Sequence, residues 1–474
     1  MSKILLLLLL TLVAAAPALS TELAAPTAAA CAIRHQDQLL LVQDRISSRY
    51  SLSGGYIDGG ESPQQAALRE LYEETGLRGE IVADLGRWQK AQLFACRTLE
   101  PIVAQRASAA QRNRAAQQES GFVSLLNAPN LGGEILSARL IAVDKLPREQ
   151  RRFPDQLDWL QSRLDKVPES EVRWQADFVA QGNALHRAEI PLMVRLQQWL
   201  GPDVWWLSVS NLFGSGGFQL ALIPLLLPLL GWPRLRQFLF VMLWLGLLVQ
   251  VSKEMVSWPR PFQLQPLLAA HSAQGFGMPS GHAASALLFW GALFGWRWPS
   301  RPAVTCGIAL GLAALTGLAR VWLGVHFLSD VVGGLLLGGL LLGLRSRWGA
   351  LSGTPGGSIL LLLALAAALW TQSAALAGLG LVALGLVCGG QLPVRRDARP
   401  ARVVGSLAAA GLVLVGGGLW LLPRLTDSSL WILTGQGLLY CWLGLWLSAG
   451  LWWILSFMNT DSLPRGKSPD KGMI

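Results

Sequence analysis

Apolar residues are spaced in two different ways along this chain. Up to about residue 198, short apolar stretches sit between polar turns and most of the acidic residues are found; from 218 onward, long runs of Leu, Gly, Ala and Trp are separated by short Arg-bearing loops. In the first part, 28–43 has two apolar stretches around a polar turn and predicts strand, turn, strand. Ser62 as cap, Pro63 at the first helical position, Ala66, Leu68 and Leu71 on one face and Gly76 as stop predict a helix between glycine loops. Residues 91–95 and 136–143 read as strands, 153–164 as a helix, and the Ala/Gln/Arg-rich stretch 104–120 as a surface insertion with no structure imposed. This order predicts a compact α+β sandwich over 28–165. In the second part the runs 217–232, 238–252, 283–296, 303–319 and 327–344 predict membrane spans, followed by 358–390 (room for two), 403–423 and 430–457. The expectation is an all-α polytopic membrane domain over 204–348, with additional transmembrane helices over 358–457. Between the parts, 166–203 is amphipathic, interrupted by Arg187, Glu189, Arg195 and Asp203, and is expected to lie on the membrane surface as a linker.

Charge orients this scheme. Residues 1–20 have a short basic start, an apolar run and small residues at Ala16, Ala18 and Ser20, the pattern of a secretory signal peptide. With the soluble domain exported, the Arg-bearing loops at 233–236, 297–301, 345–347 and 395–402 and the tail 458–474 all fall inside, as the positive-inside bias requires. That bias also accounts for much of the net charge of +10, so no nucleic-acid partner is expected. Of five cysteines, Cys306, Cys388 and Cys441 lie in apolar runs as packing residues, and no spacing fits a zinc site.

Two residue sets carry chemistry. In the first helix Glu70, Glu73 and Glu74 lie three and four apart, so one turn gathers three carboxylates that repel unless a cation neutralises them. A hard oxygen site suits Mg²⁺ or Mn²⁺, which can in turn bind and polarise a diphosphate. Arg69 can pair with a neighbouring Glu, and Gly54 and Gly55 let backbone approach the metal, with the Gly55 carbonyl as a ligand. In the membrane part, Lys253, Arg260, Ser280, the Gly281 amide and Arg320 can surround a phosphoryl group. His326 can attack phosphorus, Asp330 one turn later can fix its tautomer, and His282 can protonate the leaving oxygen.

The segment from Gly55 through Glu61, Arg69, Glu70, Glu73, Glu74 and Gly76 to Leu77 resembles the Nudix hydrolase signature, over roughly 28–164. This resemblance implies diphosphate hydrolysis with Glu70, Glu73, Glu74 and Gly55 at the metal, Glu61 and Arg69 in support, and a later carboxylate for which Glu134 is the candidate. Ser53 stands where the family commonly has Pro. The ordered set Lys253, Arg260-Pro261, Pro279-Ser280-Gly281-His282, Arg320, His326 and Asp330 resembles the type 2 phosphatidic acid phosphatase superfamily over about 204–344, with Ala319 in place of a frequent Ser. It implies a six-helix-type core and a phosphatase that needs no cofactor and works through phosphohistidine. The reading is therefore a bifunctional enzyme of the bacterial inner membrane, both sites on the periplasmic side, with membrane lipids around it. Its partners are a diphosphate-linked small molecule and a lipid phosphate or diphosphate, undecaprenyl diphosphate first. Phosphatidylglycerophosphate or phosphatidic acid, with the Nudix part as a diphosphate-metabolite sensor, is the alternative, while the motif set argues against a transporter. Export, together with strands that Nudix sheets can place side by side, leads us to expect a Cys31–Cys96 disulfide, provided the Cα atoms lie within roughly 7 Å.

Overall fold

A computed structural model describes residues 25–106, 121–129, 131–201, 203–270, 273, 275–396, 400–426 and 428–457. The expected signal segment, most of the insertion and the C-terminal tail lie outside the described residues. The N-terminal unit has two sheets. One has the order β5 (Ser53–Tyr56), β1 (Ala28–Ala32), β7 (Ala91–Thr98), β6 (Gly79–Trp88); the other runs β11 (Val172–Gln175), β8 (Ile102–Arg106), β9 (Gly121–Val123), β10 (Ile135–Ala142), β3 (Gln38–Asp44), β2 (Arg34–His35), with β4 (Tyr50–Ser51) on β3. The run Leu39 to Val42 is buried on both faces, which is why it is continuously apolar. Leu40 and Val42 join Ala66, Ala67 and Leu71 of α1 (Pro63–Thr75) on one side, while Leu39 and Leu41 join Leu157 and Leu160 of α2 (Pro154–Gln161) on the other.

The expected start of α1 is present in full: Ser62 accepts from the Gln65 amide, Gln65 reaches back to the Ser62 amide, and Gly76 closes the helix at φ 71°. Parallel neighbours β1 and β7 bring Cys31 and Cys96 into a disulfide with Cα atoms 5.5 Å apart. Strand β6 was not anticipated, because its side chains are mostly half-exposed and its sequence is of mixed polarity.

The linker differs from expectation. Helix α3 (Ala184–Leu200) turns its apolar face to protein: Ile190 and Met193 are buried among Leu264, Leu268, Phe327 and Val331, and Gln197 donates to the carbonyls of Leu268 and Trp322. After α4 (Trp205–Leu212) comes α5 (Ile223–Val256), two helical segments joined across a kink near the boundary of the expected runs 217–232 and 238–252. Its one interruption is Gly231, at φ 72° and ψ 160° between Pro228 and Pro233, two residues that remove helix donors. Helices α6 (Gly281–Arg297), α7 (Pro302–Trp322) and α8 (Leu328–Gly343) complete the part that carries the residues from Lys253 to Asp330, followed by α9 (Thr354–Thr371), α10 (Ala374–Gln391), α11 (Ala401–Leu425) and α12 (Ser429–Leu445). Helices α5, α6, α9, α10, α11 and α12 share one apolar core through residues such as Val241, Leu288, Leu360, Ala383, Ala408 and Leu443. Among the described residues, six helical stretches are long and apolar enough to cross a membrane, or seven if the bent pair beginning with α8 counts as one.

Candidate active sites

On α1, Arg69 gathers the acidic residues around it. Its guanidinium donates twice to Glu61, at 2.8 and 3.1 Å, once each to Glu70 and Glu73, both at 3.0 Å, and to the Tyr56 carbonyl. These carboxylates raise the Arg69 pKa, the Glu61 hydrogen bond most. Glu74 points to the glycine loop instead and accepts from the Ser53 hydroxyl at 2.6 Å and the Gly54 amide at 3.2 Å. Glu70, Glu74 and Glu134 offer oxygens that all lie within 4.8 Å of one another. Glu73, expected as a ligand, is held by Arg69 outside that trio. A Cβ on Gly55 would meet a Glu70 oxygen at 2.3 Å, so a larger residue there would displace the carboxylate end of Glu70.

Electrostatics fit a cation. Burial pushes Glu74 up to about 8 and Glu70 to about 7, the Arg69 charge opposing the shift at Glu70. Three converging carboxyls that ionise reluctantly alone form a hard oxygen donor set which a divalent ion would neutralise. Sequence reasoning treated Ser53 only as a departure from pattern; its hydroxyl proves to orient Glu74, and only pairing of β1 with β5 brings it there.

The membrane constellation converges as well. Lys253, Arg260, Ser280, Arg320, His326 and Asp330 are all buried. His326 Nδ1 lies 3.2 Å from Asp330 Oδ2, and Nε2 lies 3.3 Å from an Arg260 nitrogen. Asp330 Oδ2 also accepts from the Phe327 amide at 2.9 Å, while its main-chain carbonyl accepts from the Ser280 amide at 2.8 Å, tying α8 to the start of α6. Burial, then the Arg260 charge, lowers the His326 pKa well below its ordinary value; His282, on the first turn of α6, adds to that effect. Arg320 donates to Asn211 of α4, a partner the sequence did not reveal. Ser280 Oγ, Arg320 Nε and Asp330 Oδ1 are buried without partners among the described residues, and the first two are donors that a phosphoryl oxygen would satisfy.

The two sites meet at one loop. The Gly275 carbonyl accepts from Arg260 Nε at 2.7 Å and the Phe276 carbonyl from Lys253 at 2.9 Å. Phe276 packs against the core of the N-terminal unit, and a Cβ on Gly132 would lie 3.0 Å from Gly275 backbone. Gly132 is two residues before Glu134.

Comparison with known proteins places a family model on each of the two parts. Residues 24–161 match the NUDIX domain model and residues 234–352 the PAP2 superfamily model, so the chain joins a NUDIX domain to a PAP2 superfamily domain. A NUDIX domain beside a PAP2 superfamily domain supports a hydrolase acting on phosphate or diphosphate groups. Among similar proteins, lipid phosphate phosphatase delta of Arabidopsis thaliana is 31% identical over 175 residues, covering 33% of this chain and 41% of that protein. RNA pyrophosphohydrolase of Francisella tularensis subsp. mediasiatica (strain FSC147) is 36% identical over 75 residues, covering 15% of this chain and 48% of that one. Diphosphoinositol polyphosphate phosphohydrolase 3-alpha of Mus musculus is 36% identical over 59 residues, covering 12% and 36%. The matched stretches thus span less than half the length of each of these relatives. A solved ADP-ribose pyrophosphatase from Streptococcus suis 89-1591 aligns at 21% identity over 31% of this chain and 97% of that one, with a TM-score of 0.21.

Proposed function

We propose that this chain is a bifunctional membrane hydrolase: a divalent-metal-dependent diphosphate hydrolase at Glu70, Glu74 and Glu134, and a lipid phosphate or diphosphate phosphatase acting through His326. Mg²⁺ or Mn²⁺ held there, with Glu73 and the Gly55 carbonyl as further candidate ligands, would polarise the diphosphate. Arg69 orients Glu70, Ser53 and the Gly54 amide orient Glu74, and Glu61 fixes Arg69.

In the phosphatase, Asp330 accepts the Nδ1 proton of His326, leaving a lone pair on Nε2 to attack phosphorus. As the N–P bond forms, the P–O bond to the lipid breaks and His282 donates its proton to the leaving oxygen. Water then hydrolyses the phosphohistidine, releasing phosphate. Lys253, Arg260, Arg320, Ser280 and the Gly281 amide hold the phosphoryl oxygens, whose charge is worth most to them in this dry site. The observation that carries this reading is the buried His326–Asp330 pair facing three buried cations. We place the enzyme in a bacterial inner membrane with both sites periplasmic, and undecaprenyl diphosphate first among its lipid substrates. A panel of lipid phosphates tests this: phosphate release should survive EDTA and vanish in His326→Ala. Chelation that stops the wild-type lipid reaction removes the phosphohistidine mechanism.

The contact of Gly132 with Gly275 favours a second reading beside the first, in which a diphosphate metabolite bound at the Nudix site regulates phosphatidylglycerophosphate or phosphatidic acid hydrolysis.

A further inference from the structure

Helix α3 lies before the matched PAP2 region, yet two of its side chains reach the turn that carries His326. His186 and Glu189 are three residues apart and so share a face. The buried His186 ring stacks on Phe327, centroids 4.4 Å apart and 14° from parallel, and meets Trp258 edge-on at 4.9 Å. Phe327 follows His326; Trp258 is two residues before Arg260. One side chain thus rests against both segments whose tips, Arg260 and His326 Nε2, are 3.3 Å apart.

Glu189 is more pointed. Its buried carboxylate has both oxygens 3.3 Å from the Ser329 amide, in the first turn of α8. Amides there have no partner within the helix, and an anion is favoured at that end. Two carboxylates therefore divide the first-turn donors: Asp330 takes the Phe327 amide and His326, and Glu189 takes Ser329 from outside. A carboxylate buried in an apolar interface is costly unless it is bonded, so an aliphatic residue would seal this contact more simply.

Building on the phosphatase reading above, we propose that Glu189 is a positioning residue of that reaction: by accepting the Ser329 amide it fixes the 326–330 turn, and with it the direction of His326 towards phosphorus, His186 setting the spacing from the Arg260 segment. The phosphatase site thus begins on the helix that joins the two domains. Misplacing a nucleophile by about 1 Å can cost on the order of 10²-fold in rate, so the effect should fall on the chemical step.

The test is single-turnover phosphate release from dioctanoyl phosphatidate with full-length enzyme in excess, whose rate constant does not depend on the active fraction. Glu189→Ala should slow that rate constant at least tenfold, whereas Glu189→Gln, whose amide oxygen still accepts, should stay within threefold of wild type. A Glu189→Ala rate constant within twofold of wild type overturns the proposal. Should that variant yield no folded protein, Glu189→Asp decides: it keeps the charge but is one methylene short, and should be at least threefold slower than Glu189→Gln. Equal rates for those two overturn the proposal equally. His326→Ala, run alongside, separates the failures: wild-type turnover there removes the site assignment itself, while an inactive His326→Ala with an unaffected Glu189 series removes only the positioning role.

Discussion

Glu74 answers to two demands at once: its carboxylate converges with those of Glu70 and Glu134, and it takes its orientation from Ser53 and the Gly54 amide. Glu74→Gln should therefore lower divalent-dependent diphosphate hydrolysis by on the order of 10²-fold or more, and Ser53→Ala, which removes only the orienting bond, by roughly 10-fold. Both should leave lipid phosphate release unchanged; a Ser53→Ala enzyme as active as wild type would show that β5 backbone alone orients the carboxylate. His186 yields a prediction in pH. Burial lowers its pKa to about 4 from 6.5. Between those values the unfolded chain takes up a proton that the folded one refuses, so stability is present above pH 6.5 and is lost as pH falls towards 4. Thermal unfolding of the detergent-purified protein should show this loss, and His186→Phe, which keeps a ring on Phe327, should flatten it. An identical slope in both proteins counts against the assignment.

At the scale of elements, the sandwich is stapled where β1 and β7 run side by side. Cys31 and Cys96 are buried and 65 residues apart in sequence, so their bond closes a long loop in the unfolded chain. On the loop-entropy account, replacing both by Ser should remove about 4 kcal/mol. The protein's lower-melting transition, followed by loss of diphosphate hydrolysis on heating, should drop by several degrees or more; an unmoved midpoint would mean that the bond contributes nothing in solution. Helix α1 was legible residue by residue because cap, proline, apolar face and glycine stop are all local signals. Strand β6 was not: mostly half-exposed side chains give little alternation, and its place beside β7 is decided by pairing. Helix α3 has the amphipathic pattern of a surface helix, and a pattern records one apolar face without recording whether lipid or protein covers it.

The whole molecule is organised around the loop at residues 275–276, where carbonyls that hold Arg260 and Lys253 lie against the N-terminal unit. Gly132→Val would force a Cβ into Gly275 backbone at 3.0 Å, at a position already at φ 71°. Phosphate release from lipid should fall severalfold, although Gly132 belongs to the other domain; undisturbed release would show that the loop yields without moving the cations. Exposed Trp199 and Trp205 flank the joint and suit a membrane–water boundary. If both sites face the same side, cysteines placed at exposed Lys90 and Ala270 in a background lacking the free Cys306, Cys388 and Cys441 should both be labelled from outside intact spheroplasts. Labelling of one alone contradicts that orientation.

The chain alone pointed to two phosphate-handling residue sets and the change of solvent between them, because carboxylates at helical spacing, an ordered set of cations with histidines, and runs of apolar residues are written at short range. It also marked Glu70, Glu74, Lys253, Arg260, Arg320, His326 and Asp330, since each lies in a fixed motif. Only the tertiary structure decided that Glu134 rather than Glu73 completes the carboxylate trio, that Ser53 orients Glu74, that Asn211 receives Arg320, and that Glu189 reaches the His326 turn. The last three of those relations join residues 21, 109 and 140 positions apart. Such pairings are made when sheets and helices pack, and no periodicity in the sequence encodes them.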